Sequence, residues 1–174
     1  MRARQYLAAL AAAVMLAGCG QTGTSSSSGA SSGQQALRTG LAVQSKAEDG
    51  EMHTVAAAVW LDQEGRIQRA VVDEFEGQLA SGEDGKNTWP EDLRTKRQKG
   101  ADYPLDKVSS IGRSWAQQAD AFAEHLKGMT ASQVRAVQTD EDGYARDPDL
   151  LAGCTIKIDD YREAVAAACA DAMA

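Results

Sequence analysis

The run His53-Thr54-Val55-Ala56-Ala57-Ala58-Val59-Trp60, followed after Leu61-Asp62-Gln63-Glu64-Gly65 by Arg66-Ile67-Gln68-Arg69-Ala70-Val71-Val72-Asp73-Glu74-Phe75, decides the fold class. Both runs are rich in β-branched and aromatic residues, and the five residues between them are polar and end in glycine, so they predict a β-hairpin. In the second run Ile67 and Val71 are expected on one face and Gln68, Ala70 and Val72 on the other, an imperfect alternation. Residues 76–89 are charged and glycine-rich and read as an exposed loop, with Pro90-Glu91-Asp92 able to open a short helix or turn.

Beyond the hairpin, Val108, Ile111, Trp115, Ala119, Phe122 and Leu126 recur at three- and four-residue steps and predict a helix over residues 106–127, stopped by Gly128. Thr130-Ala131-Ser132-Gln133 has the spacing of a capping box and predicts a second, shorter helix through Val134. Residues 154–158 read as a strand. A last helix is expected from Asp159 or Asp160, burying Tyr161, Val165, Ala168 and Cys169. The order strand, strand, helix, helix, strand, helix indicates an α+β domain: a small, mainly antiparallel sheet, the hairpin plus a C-terminal strand, covered by helices.

The chain opens with Arg2 and Arg4, an apolar stretch from Tyr6 to Leu16, and the run Leu16-Ala17-Gly18-Cys19. This resembles a bacterial lipobox behind a secretory signal, and the apolar stretch is about half the ~20 residues a membrane-spanning helix needs. The resemblance implies removal of residues 1–18, lipidation of Cys19, and a protein held on the extracytoplasmic face of a cell membrane by acyl chains. Residues 19–34 then form the lipidated cysteine and a flexible tether, GQTGTSSSSGASSG over residues 20–33, with a root-mean-square reach of about 20 Å. Residues 35–174 are expected to form a single domain.

Without Arg2 and Arg4 the chain keeps 16 basic against 25 acidic residues, a formal charge of −9. That balance disfavours nucleic acid as a partner. The one basic cluster, Arg94-Thr95-Lys96-Arg97-Gln98-Lys99, is expected to be a solvated loop or helix face.

Cys154 and Cys169 allow two readings. A strand from Thr155 and a returning helix would bring Cys169 level with Cys154, which suits a disulfide in an oxidising compartment. Cys169 also lies on the apolar stripe of its helix, where a free thiol serves as a small hydrophobe.

His53 and His125 stand far apart in sequence with no Cys, Asp or Glu at ligand spacing, so no metal site is expected and both are expected at a surface or boundary. The acidic run 140–149 fails the EF-hand pattern and reads as an acidic turn. No Gly-x-Ser-x-Gly elbow and no phosphate-cradling glycine motif occurs. A Ser-His-Asp group could still meet in space, and no nucleophile or other catalytic residue is assigned.

Thr95-Lys96, Gly100, Tyr103, Ser109-Ser110-Ile111-Gly112, Trp115, Gln118, Ala121-Phe122, Gly128 and Thr130 resemble a pattern found in uncharacterised surface lipoproteins of Gram-positive anaerobes. The likeness extends to residues 59–73 and 149–168, and its motifs are structural. Some of those proteins look distantly like FMN-binding surface domains, in which a Gly-Ala-Thr or Gly-Ala-Ser motif places the flavin. This chain departs from that motif: Ser28-Gly29-Ala30-Ser31 falls in the tether and Ala80-Ser81-Gly82 in the acidic loop. The expectation is a membrane-tethered, non-enzymatic domain binding a small ligand or an envelope component. The alternative is a flavin-binding redox lipoprotein using Trp60, Trp89, Trp115 or Tyr103 as a stacking ring. A cell-wall hydrolase would need a cleft of perturbed carboxylates.

Overall fold

Strands β2 (Glu51–Leu61) and β3 (Ile67–Gln78) pair antiparallel, as the hairpin reading expects. Their turn is closed by Asp62, whose Oδ1 accepts from the backbone N–H of Glu64 and Arg66. The computed structural model describes residues 36–48, 50–82 and 86–174, and in it a third strand, β1 (Arg38–Glu48), lies antiparallel along the free edge of β2. The sheet order is β1-β2-β3. The signal segment, Cys19 and the tether fall outside the described residues.

The α+β class stands, but the third strand comes from the N-terminal side. Residues 154–158 do not form the expected strand: only Lys157 pairs, in an isolated bridge with Tyr144. β1 escapes a reading based on alternation because its inward positions are Gly40 and Ala42 while Leu41 and Val43 point outward, 61% and 60% exposed. Gly40 is required where it stands. A Cβ there would meet the Ala168 carbonyl oxygen at 2.0 Å and the Ala172 nitrogen at 2.6 Å, so helix backbone rests directly on the strand.

That helix is α5 (Asp159–Ala172), which covers the inner faces of β1 and β2, while α2 (Trp115–His125) covers β3. Between them lie Val55, Ala57, Val59 and Leu61 of β2 and Ile67, Ala70 and Val72 of β3. Gln68 is an extra residue in the β3 register, since Leu61 pairs with Ile67 and Trp60 with Arg69. The bulge turns Ile67 inward together with Ala70 and Val72 and leaves Val71 on the other face, which corrects the expected division of this strand.

The long helix expected over residues 106–127 begins only at Trp115. Gly112 takes a left-handed φ of 62°, and Ser114 caps the helix in a box with Gln117. Upstream, residues 105–107 form one 3-10 turn and Val108 is 80% exposed, so its place on the apolar stripe is coincidental. The second box is as expected: Thr130 and Gln133 cap α3 (Ala131–Arg135). Between α3 and α5 lies one short helix, α4 (Pro148–Leu151). Cys154 and Cys169 are both buried free thiols, so the disulfide reading is corrected in favour of two core residues. The strand from Thr155, after which the returning helix was to bring Cys169 level with Cys154, does not form. Burial pushes both thiols up to about 11.

Candidate functional site

The inner face of the hairpin changes character along its length. From Val55 towards the turn it is apolar, while at the far end Glu51 and His53 on β2 and Glu74 and Glu76 on β3 take the same inward positions. The register sets His53 opposite Glu76 and Val55 opposite Glu74. A carboxylate projecting from a sheet into a core must find partners there.

Glu74 is 6% exposed and has three. Its Oε2 accepts from the Tyr161 hydroxyl in a short contact and from Lys96 Nζ at 2.8 Å; its Oε1 lies 3.1 Å from His53 Nδ1. Lys96 Nζ also reaches Glu76 at 2.6 Å. Tyr161 in turn accepts from Trp115 Nε1 at 3.3 Å, its ring edge-on to the indole. Four elements therefore meet at one buried carboxylate.

Lys96 arrives on α1 (Lys96–Lys99), a single turn boxed by Thr95 and Gln98. Asp73 pins that turn to the β3 edge, accepting from the Thr95 hydroxyl at 2.7 Å, and Arg97 Nε donates to the Val72 carbonyl. The basic cluster was expected to be solvated throughout, and Lys96 corrects this: it is 7% exposed, with Tyr103 and Trp115 ring centroids 5.2 and 5.9 Å from its ammonium. Burial works against that ammonium, but Glu74 and Glu76 outweigh it and hold its pKa above the ordinary value. Burial, reinforced by Glu74, likewise raises the pKa of the Tyr161 hydroxyl.

Above this floor opens a pocket of about 690 Å³. Tyr103 and Tyr144 contribute ring surface to it, and Thr155 and Lys157 form the opposite wall. Gln118, fully buried, fixes that wall: its Oε1 accepts from Thr155 N–H at 2.8 Å, and its Nε2 donates to Ser109 Oγ and the Arg113 carbonyl, each at 3.0 Å. The acidic run 140–149 is a turn, as expected, with Asp140 Oδ1 accepting from the N–H groups of Asp142 and Tyr144. It delivers Asp142, Gly143 and Tyr144 to the rim, where Lys46 and Asp160 also pair at 2.5 Å.

Of the aromatic residues proposed as flavin platforms, Tyr103 and Trp115 line the pocket, though Trp115 is only 2% exposed. Trp60 instead stacks under Arg69, 5.0 Å from its ring centroid, on the other face of the sheet, and Trp89 is 65% exposed in the loop before α1. His53 was expected to stand apart from ligating residues, and the cross-strand pairing with Glu76 corrects that. Its sequence signal is the coincidence of inward parity in Glu51, His53, Glu74 and Glu76, visible once the register is known. His125 sits elsewhere, 3.7 Å from Asp147. Comparison with protein-family models, with curated proteins and with solved structures finds no match.

Proposed function

We infer that this protein is a membrane-tethered extracytoplasmic lipoprotein whose folded domain binds a small polar ligand in the pocket over Glu74. The observation that carries the binding reading is the pocket itself: about 690 Å³, floored by a buried hydrogen-bonded carboxylate and bounded by a Thr155 wall that a buried glutamine holds from behind. Buried polar groups so completely paired hold their geometry rigid, which is what recognition requires. None of the residues lining it is a cysteine or serine, so covalent catalysis through those nucleophiles has no support there.

The charge of the wall speaks to ligand class. Six carboxylates, from Glu51, Glu74, Glu76, Asp142, Asp159 and Asp160, stand against Lys46, Lys96 and Lys157. A phosphate would enter against that field. FMN remains the second reading because Tyr103 and Tyr144 offer ring surface within the pocket.

A thermal-shift panel on the mature protein tests binding, with amino acids, sugars, polyamines and FMN offered separately. At least one class should raise the melting temperature of the wild type and fail on Thr155→Trp, which fills the pocket. No shift from any class removes the small-ligand reading. A colourless protein that ignores added FMN removes the flavin reading. The anchor is tested by mass spectrometry of the mature N-terminus, expected to begin at Cys19 with added acyl mass and to lose that mass in Cys19→Ala.

A further inference from the structure

We propose that the pocket floor binds a divalent transition-metal ion through His53 Nδ1, Glu74 Oε1 and a carboxylate oxygen of Glu76, with Glu51, Lys96 and Tyr161 as the outer partners that aim these ligands. The inference rests on the reading of this pocket as a binding site and names what its deepest part takes.

The donor atoms of His53, Glu74 and Glu76 all lie within 4.8 Å of one another. His53 Nδ1 and Glu74 Oε1 are 3.1 Å apart. Two donors each about 2.0 to 2.2 Å from one ion, at tetrahedral or octahedral angles, stand roughly 3 to 3.5 Å apart, so this edge already has the spacing of a shared metal. The ion takes the position of the proton that otherwise joins the two groups.

Lys96 does not fill the site. Its ammonium bonds to Oε2 of Glu74 and Oε2 of Glu76, and the Tyr161 hydroxyl is also on Glu74 Oε2. Each carboxylate thus has one oxygen clamped and one left over, and for Glu74 the remaining oxygen is the one facing His53. On the other side of the imidazole, Nε2 lies 3.4 Å from Glu51 Oε2. A carboxylate behind a ligating histidine fixes the tautomer that leaves the opposite nitrogen free for metal, and clamped carboxylates are the usual second layer of such sites.

Charge points the same way. Glu51, Glu74 and Glu76 carry three formal negative charges and Lys96 one positive, so a divalent ion brings the group to neutrality. One imidazole with two carboxylates suits Zn²⁺ or Mn²⁺, and the pocket above leaves room for water or a ligand on the open side of the ion.

Isothermal titration of the mature protein with Zn²⁺, repeated with Mn²⁺, tests this. One ion per chain is expected, with saturable binding lost in His53→Ala and in Glu76→Gln, unchanged in His125→Ala, and weakened about 10- to 100-fold in Glu51→Gln. Glu76 is half-exposed, so its variant tests the site without breaking the buried core. Co²⁺ added to the protein should give a visible spectrum without a thiolate charge-transfer band, which separates the site from Cys154 and Cys169. No saturable binding, binding indifferent to His53→Ala and Glu76→Gln, or a thiolate band would each overturn the proposal. A failed metal titration leaves the pocket's response to the small-molecule panel intact, whereas a silent panel beside stoichiometric metal binding removes the small-ligand reading alone.

Discussion

Lys96 and Glu74 are 22 residues apart in sequence and form an ion pair at 2.8 Å in which both side chains are less than a tenth exposed. Such a pair adds little over an apolar replacement, yet removing one partner strands the other charge in a dry environment. Lys96→Met and Glu74→Gln should each lower unfolding free energy by about 3 to 5 kcal/mol, and the double variant should cost less than the sum of the two. Urea titrations of the four proteins measure the coupling; strict additivity would show that the pair is not energetically joined.

Gly40→Ala should destabilise although the position is on an edge strand. The new methyl would meet the backbone of Ala168 and Ala172, which cannot turn aside as a side chain can. A loss of about 2 to 3 kcal/mol is expected, near the top of the usual overpacking range, and with it a fall of roughly 10 °C in melting temperature. The same change at Gly77, whose nearest neighbours are the ends of the Pro90 and Phe75 side chains, should cost less.

Stability should fall steeply with rising pH above about 9. In the folded chain burial holds the protons of Cys154 and Cys169 up to about 11, against an ordinary value of 9.0, and Tyr103, Tyr161 and Lys96 are raised as well. A group whose pKa is higher folded than unfolded keeps its full contribution below the unfolded value and loses it as pH climbs through the window between the two. Urea midpoints from pH 7 to 11 should be level at first and then drop, with the thiols responsible for the onset between 9 and 10. Replacing both cysteines by alanine should delay that onset; an unchanged onset would assign it elsewhere.

Thiol titration gives a separate check on the same pair. Denatured, unreduced protein should yield two reactive thiols from Cys154 and Cys169, and native protein should yield neither on a time scale of minutes, because both are buried. A titre of zero after denaturation would reveal a bridge.

Gln118→Leu should cost about 2 to 4 kcal/mol, because it leaves the Thr155 N–H and the Arg113 carbonyl without their partner. Beyond that loss, the wall carrying Thr155 should loosen, so any ligand that shifts the wild-type melting temperature should shift this variant less. Melting curves with and without that ligand separate the two effects.

The hairpin, the Thr130 capping box and the apolar stripe of α5 were legible because each is a local pattern whose residues agree with its final environment. β1 was not, since Leu41 and Val43 face outward and a glycine faces the core. The start of α2 was missed for a different reason: Val108 and Ile111 continue the helical period by chance, while Ser114 and Gln117 carry the capping signal that ends it. At the site, no local pattern could reveal Lys96, whose neighbours are arginines and lysines of ordinary exposure. Its burial follows from Asp73 fastening Thr95 to the edge of β3, a contact across 22 residues.

The first described strand and the last helix are packed together: Asp171 accepts from the Leu41 N–H at 3.0 Å, and Gly40 lies under Ala168 and Ala172. The hairpin can therefore form early from local sequence, but the apolar side formed by Val55, Ala57 and Val59 has no cover until the final 14-residue helix has been made. A chain emerging N-terminus first carries an unfinished, sticky sheet until residues 159–172 have followed it. Covering of the sheet therefore waits on a segment made well after it, and deletion of residues 159–172 would remove the lid from the earliest-made part of the described domain.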